Sequence, residues 1–373
     1  MKKIYFRNTK NWADIKAVLF SKDEGRTESF WLTEKDSQGD FVLNFDNSIF
    51  DHLLFSSSNG EQTGKIYPGG VSLGVEYKYN DKLGRDLTYL FGKSAAHTGK
   101  VENYVIKDAI NLSYREDKSK KISVFLPYSY DGKTPHDILY FFDAQNLFCC
   151  AGEYTENGDP YGSWQLDIVL NEIFNQYGKR IIVVGIDNAD IYRSRELFMD
   201  PESFGELTDF SKTPDDEFAH GYLEKLSAFM TGTLHSFIKE KYCVKEENIG
   251  IGGASMGGIA AFYCGIREMG FYKYVLSYSP AFALYDMEAF ENYFKTKSFG
   301  ENKDNLPLIH IYCGGGDDLE KMLLPSSVKM KSLLVKQGYE KEKILETYDI
   351  EKPHNEESWR LILPESFTYL IGL

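Results

Sequence analysis

The stretch from Asn248 to Tyr263 reads NIGIGGASMGGIAAFY, and within it Gly253, Ser255 and Gly257 spell G-x-S-x-G. In this pattern a strand turns so sharply into a helix that the serine takes up strained backbone geometry with its Oγ exposed. Side chains at the flanking glycines would collide. A neutral hydroxyl is a poor nucleophile, so the chemistry also needs an imidazole to take its proton and a buried carboxylate to fix the imidazole tautomer. The residue after the serine, Met256, offers a backbone N–H to the oxyanion that forms on attack.

The acid and the base should follow in that order, each on a loop after a later strand. The segment LPLIHIYC runs into GGGDDLE, which offers Asp317, Asp318 and Glu320; KILETYD then runs into DIEKPHNEESWRLIL, which offers His354. His310 falls inside an expected strand. His52, His97, His136, His220 and His235 are scattered and show no H-E-x-x-H or comparable spacing, so no metal is expected, and hydrolysis through a serine nucleophile implies no cofactor.

The elements that must position these residues change character along the chain. Residues 1–95 read as short alternating strands (KIYFRN, DIKAVLFS, DFVLNF, HLLFSS) broken by SQGD, SSNGEQ and YPGG, the pattern of a small β-sandwich. Residues 100–373 alternate strands (KISVFLP, DILYFFD, RIIVVGID, NIGIGG, KYVLSYSP) with helical segments, the pattern of an α/β domain with a mostly parallel sheet covered by helices. The expected fold class is therefore α/β, preceded by an all-β domain, with the boundary near TGKVENY.

A chain of 373 residues with 42% hydrophobic residues can build two domains with sizeable cores. A net charge of −14 argues against nucleic acid as a partner, since phosphates are neutralised by clustered Lys and Arg. No apolar run has the length of a membrane span, and Arg7, Asn8, Lys10, Asn11 and Asp14 interrupt any signal-like apolar core, so a cytoplasmic protein is expected. Cys149, Cys150, Cys243, Cys264 and Cys313 form no metal spacing, and their odd number suits a reducing compartment.

Several of these blocks together resemble the Putative esterase (esterase D-like) family of α/β-hydrolases, which includes feruloyl, acetyl-xylan and enterochelin esterases. The blocks are DILYFFDAQNLF, IIVVGIDN followed by RSREL, GGASMGGIAAFY, and PHNEESWRLILPESFTYL, and they span roughly residues 100–373. The resemblance implies Ser255 as nucleophile, His354 as base, and the N–H groups of Met256 and Gln145 as oxyanion donors. Its spacing places the acid three residues after Gly314, at Asp317, with Asp318 as the alternative. The chain has Asp there where many relatives have Glu, and Ala144 where they have Gly. The N-terminal segment resembles starch-binding carbohydrate modules, which implies Tyr5, Trp12 and Trp31 as saccharide-stacking aromatics and an α-glucan as a candidate partner.

The expectation is a serine carboxylester hydrolase working through an acyl-Ser255 intermediate on an acylated saccharide or small ester. The rival expectations are acyl transfer to a sugar hydroxyl and a catalytically silent glucan-binding protein.

Overall fold

The computed structural model describes residues 2–8, 11–21, 25–35, 39–46, 49–62, 75–80, 85–90, 99–107, 118–148, 164–211 and 220–371. The chain forms two compact units, Met1–Gly99 with Phe148–Lys179, and Lys100–Leu147 with Arg180–Leu373. Residues 148–179, expected in the α/β domain, group with the first unit.

The first unit carries strands β1 (Lys2–Arg7), β2 (Lys16–Ser21), β3 (Thr27–Trp31), β4 (Phe41–Phe45), β5 (Phe50–Ser56), β6 (Val75–Asn80) and β7 (Arg85–Leu90), and helix α1 (Leu166–Tyr177). They form two sheets, β4-β1-β7-β6 and β3-β2-β5. Strand β2 alternates half-buried and buried residues, as a strand with one covered face must. Ile4, Phe6 and Leu43 from the first sheet and Ala17, Leu19 and Phe55 from the second join one apolar cluster, so the two sheets share a core.

The second unit is built on one sheet in the order β15-β14-β13-β12-β10-β11-β9-β8. Its strands are β8 (Lys100–Ile106), β9 (Lys120–Leu126), β10 (His136–Phe142), β11 (Ile181–Ile186), β12 (Val244–Ala254), β13 (Tyr274–Tyr278), β14 (Leu308–Gly314) and β15 (Ile344–Asp349). Strands β10 to β15 run parallel, while β9 runs against both β8 and β11. Every residue of β10, β11 and β13 is buried, which is why these segments read as unbroken apolar runs: both sheet faces are covered.

The covering helices are α2 (Arg193–Glu196), α3 (Pro201–Phe204), α4 (Leu223–Phe229), α5 (His235–Lys241), α6 (Met256–Arg267), α7 (Met287–Lys295), α8 (Asp318–Lys336) and α9 (Glu356–Ile371). A π-turn at Met230–Leu234 joins α4 to α5. Helix α6 packs on β12 and β13, α8 on β14, and α9 on β13 and β14. Among the described residues no helix is long and apolar enough to cross a membrane.

After β10 the chain places β11 on one side and β12 on the other. Such a reversal opens a crevice between the carboxyl ends of the two strands, where open parallel sheets bind their ligands. The loop 143–147 leaves β10 there, and Ser255 leaves β12 beside it.

Candidate active site

Ser255 sits between β12 and α6 with φ 57° and ψ −120°, a conformation L-residues adopt only when their surroundings enforce it. The enforcement is close packing. A Cβ on Gly253 would come within 2.5 Å of the Gly257 carbonyl oxygen, and one on Gly257 within 3.0 Å of Asp143 Oδ2. The Ser255 N–H donates to Tyr278 O at 2.9 Å, and Ser255 O accepts from Ala281 N at 3.1 Å, so the end of β13 and the loop after it grip the turn from both sides. Met256 is the first residue of α6, where a backbone N–H has no partner within the helix.

The loop beyond β10 is held as firmly. Asp143 lies in the left-handed region (φ 59°), and Arg193 binds its carboxylate through Nε at 2.6 Å and Nη2 at 2.8 Å, the two-pronged geometry that suits guanidinium and carboxylate. Gln145 follows in a short 3₁₀ turn at Ala144–Asn146. The methyl of Ala144 fits because residue 185 of β11 is glycine: a Cβ there would lie 2.8 Å from Ala144 Cβ. Asn146 Nδ2 donates to Glu356 Oε1 at 2.9 Å and ties this loop to the start of α9.

Glycines also explain how the loops after β14 and β15 meet. A Cβ on Gly314 would lie 2.3 Å from Lys352 O, and one on Gly316 2.5 Å from Glu351 O. The N–H groups of Gly315 and Gly316 both donate to Lys352 O. The loop after β14 is thereby pressed against the one that carries His354.

Here the structure departs from the expected assignment. Asp317 is the N-cap of α8: its Oδ1 accepts from Glu320 N at 2.8 Å and its Oδ2 from the His354 backbone N–H at 2.6 Å. Both oxygens are engaged by main chain, and the carboxylate at the His354 ring is Glu320, whose Oε1 lies 3.2 Å from Nδ1. Burial raises the Asp317 pKa, but the N–H groups of Glu320 and His354 outweigh it and hold the carboxyl below its ordinary value. The Asp318 side chain is 99% exposed and lies 3.4 Å from Lys321 Nζ.

Glu320 is completely buried and receives four donors. Oε1 takes Ser279 Oγ at 2.5 Å and His354 Nδ1; Oε2 takes Cys313 Sγ at 3.1 Å and Gly314 N at 3.2 Å. Burial first, then the neighbouring Glu320 charge, pushes the Cys313 thiol far above its ordinary pKa, so its S–H remains a donor. A neutral carboxyl would have to donate one hydrogen bond into this ring of donors, whereas a carboxylate accepts them all. With Nδ1–H directed at Glu320, Nε2 is the free acceptor of the His354 ring, and the Trp359 indole packs edge-on against that ring with centroids 4.9 Å apart.

Ser255 Oγ and His354 are not joined by a hydrogen bond. Of the aromatics expected to stack on sugars, Trp12 is buried in the first unit's core, 6.5 Å from Phe6 between ring centroids, so its face is covered. Trp31 is 50% exposed at the end of β3, next to exposed Phe30, while Tyr5 lies in β1 with its side chain outside the described residues. Among the described residues, no group of three or more His, Cys, Asp or Glu could hold a metal ion. Cys149, Cys150 and His97 lie outside the described residues.

Sequence reasoning weighed Glu320 but passed over its signal. Asp317-x-x-Glu320 before an apolar run has the spacing of a helix N-cap with an acidic third residue, which commits the first carboxylate to backbone. Asp143, Arg193, Ser279 and Trp359 were not singled out as site residues.

The sequence model of the family described as Putative esterase matches residues 113–370. No curated protein matches the chain. Among solved structures, the siderophore hydrolase EstA from Aspergillus nidulans is 14% identical with a TM-score of 0.55, covering 75% of this chain and 96% of that one. An IroE-like serine hydrolase from Shewanella oneidensis is 13% identical with a TM-score of 0.51, covering 71% and 78%. The BES protein from Bacillus cereus is 12% identical with a TM-score of 0.51, covering 72% and 95%. At these identities the likeness is one of fold, the α/β-hydrolase fold.

Proposed function

From the premise that the chain belongs to the Putative esterase family and is a carboxylic ester hydrolase, we propose that it works through an acyl-Ser255 intermediate with His354 as base and Glu320 as acid. The observation that carries this reading is the pair of constraints at the carboxyl ends of β12 and β14. A serine is held in the strained elbow conformation, and an imidazole is held at Nδ1 by a buried carboxylate.

Ser255 Oγ attacks the ester carbonyl carbon as His354 Nε2 takes the hydroxyl proton. Glu320 balances the imidazolium charge through Nδ1. The oxyanion is received by the N–H groups of Met256 and Gln145, which stand at the two strand ends flanking the crevice. Collapse expels the alcohol, which leaves with the proton from Nε2. Water, deprotonated at Nε2, then attacks the acyl carbon, releasing the acid and restoring Ser255.

A saccharide-linked ester is the substrate class we favour. Its support is Trp31, half exposed at the end of β3, whose indole carries the kind of apolar surface on which pyranose rings pack.

Ser255→Ala tests the mechanism. Turnover of p-nitrophenyl esters of varied acyl length should fall on the order of a millionfold, since a triad nucleophile has been removed. Retention of a tenth of wild-type activity in a folded preparation would contradict it.

A further inference from the structure

We propose that Ser279 is a positioning residue of this reaction, one whose hydroxyl, oriented by Trp359, holds Glu320 against His354. The inference rests on the Ser255–His354–Glu320 reading.

Direction comes first. The Trp359 indole nitrogen can only donate, and it lies 2.8 Å from Ser279 Oγ. The serine oxygen is thereby occupied as an acceptor, and its own proton points to the remaining polar neighbour, Glu320 Oε1. The chain runs one way, from Trp359 N–H to Ser279 O–H to the Glu320 carboxylate, which also receives His354 Nδ1–H.

Ser279 and the imidazole share Oε1, while Cys313 and Gly314 fill Oε2. Each carboxylate oxygen accepts two donors, so the group cannot turn away from His354 without breaking bonds on both sides. Loss of the serine hydroxyl would leave a lone pair of a buried carboxylate unsatisfied, and the carboxylate would move to recover it.

The backbone of Ser279 supports the same purpose. It is held at φ 39°, and its N–H donates to Tyr312 O at 2.6 Å. Tyr278 just before it and Ala281 two residues after it are those that grip the Ser255 turn. The end of β13 and the loop after it thus touch the nucleophile's backbone with their main chain and the acid with the Ser279 side chain. Trp359 serves twice, through its N–H to Ser279 and through its ring edge against the imidazole.

The test is a set of variants assayed on one p-nitrophenyl ester, with thermal unfolding as the control for folding. Ser279→Ala should lower kcat about tenfold to hundredfold, the scale of losing one hydrogen bond to a charged group, with KM within about twofold. Trp359→Phe, which keeps the ring and removes the N–H, should lower kcat several-fold in the same manner. In a Glu320→Gln background, Ser279→Ala should cost less than about twofold, because a residue that acts only through the carboxylate has nothing left to position.

A merely structural serine would instead lower Tm and cost as much in the Glu320→Gln background as in the wild type, and that result overturns the proposal. So does an unchanged kcat in Ser279→Ala. Should the alanine variant fail to fold, Ser279→Gly suits the positive φ and is judged by the same outcomes, and an unchanged kcat in Trp359→Phe counts against the proposal as well. Failure of the underlying mechanism would show separately, as activity that survives Ser255→Ala.

Discussion

Asp317 and Glu320 lie three residues apart and do different work because one precedes the helix and the other belongs to its first turn. Asp317 binds the main chain of Glu320 and of His354, whereas Glu320 projects to the imidazole. Glu320→Gln should therefore lower kcat by up to about ten-thousandfold, since an amide cannot balance the imidazolium and can hold the wrong tautomer. Asp317→Asn should cost about tenfold or less, as Asn remains a good N-cap and the loss falls on the His354 backbone contact. Steady-state kinetics on both variants decides between them: a severe loss confined to Asp317→Asn would return the acid role to that residue. The Asp317 pKa is depressed in the folded state, so its contribution to stability is present above the unfolded value of about 3.9 and is lost as pH falls through the folded one. The rise of Tm with pH across that window should be flatter in Asp317→Asn.

Strand β11 shapes the site without contributing a reacting group. Its Gly185 makes room for Ala144, so the loop after β10 can carry an alanine without displacing Gln145. Gly185→Ala should push that loop away and reduce kcat/KM at least tenfold, and adding Ala144→Gly should recover part of the loss. Kinetics of the single and double variants checks this, and equal damage in both would place the effect at Leu147 and Ser123, the other neighbours of a Cβ there. Much at this scale was legible in the sequence. The apolar runs of β10 to β14 follow from burial on both sheet faces, and the glycines around Ser255 from the close packing of its turn. The pairing of Ala144 with Gly185, and of Ser279 with Glu320 and Trp359, was not, because those residues are far apart in the chain and meet only once the strand order is set. The choice between Trp12 and Trp31 was hidden for a related reason: both are aromatic residues near strand ends, and only the packing of two sheets on one core decides which face is covered.

At the scale of the whole molecule, the second unit gathers the ends of β10, β12, β13, β14 and β15 on one side of its parallel sheet. Each contributes one part: the loop with Asp143 and Gln145, the Ser255 turn, the Ser279 loop, the loop leading to Glu320, and the loop with His354. A sheet with this strand order brings those parts together without any of them being near in sequence. The central claim is that the acyl group passes through Ser255. The most direct measurement mixes the protein with a p-nitrophenyl ester, quenches it with acid within the first turnovers, and maps the added acyl mass by peptide mass spectrometry. The account predicts a burst of p-nitrophenol approaching one equivalent and an acyl adduct on the peptide containing Ser255. A protein that turns over the ester normally with the adduct on another residue would contradict it.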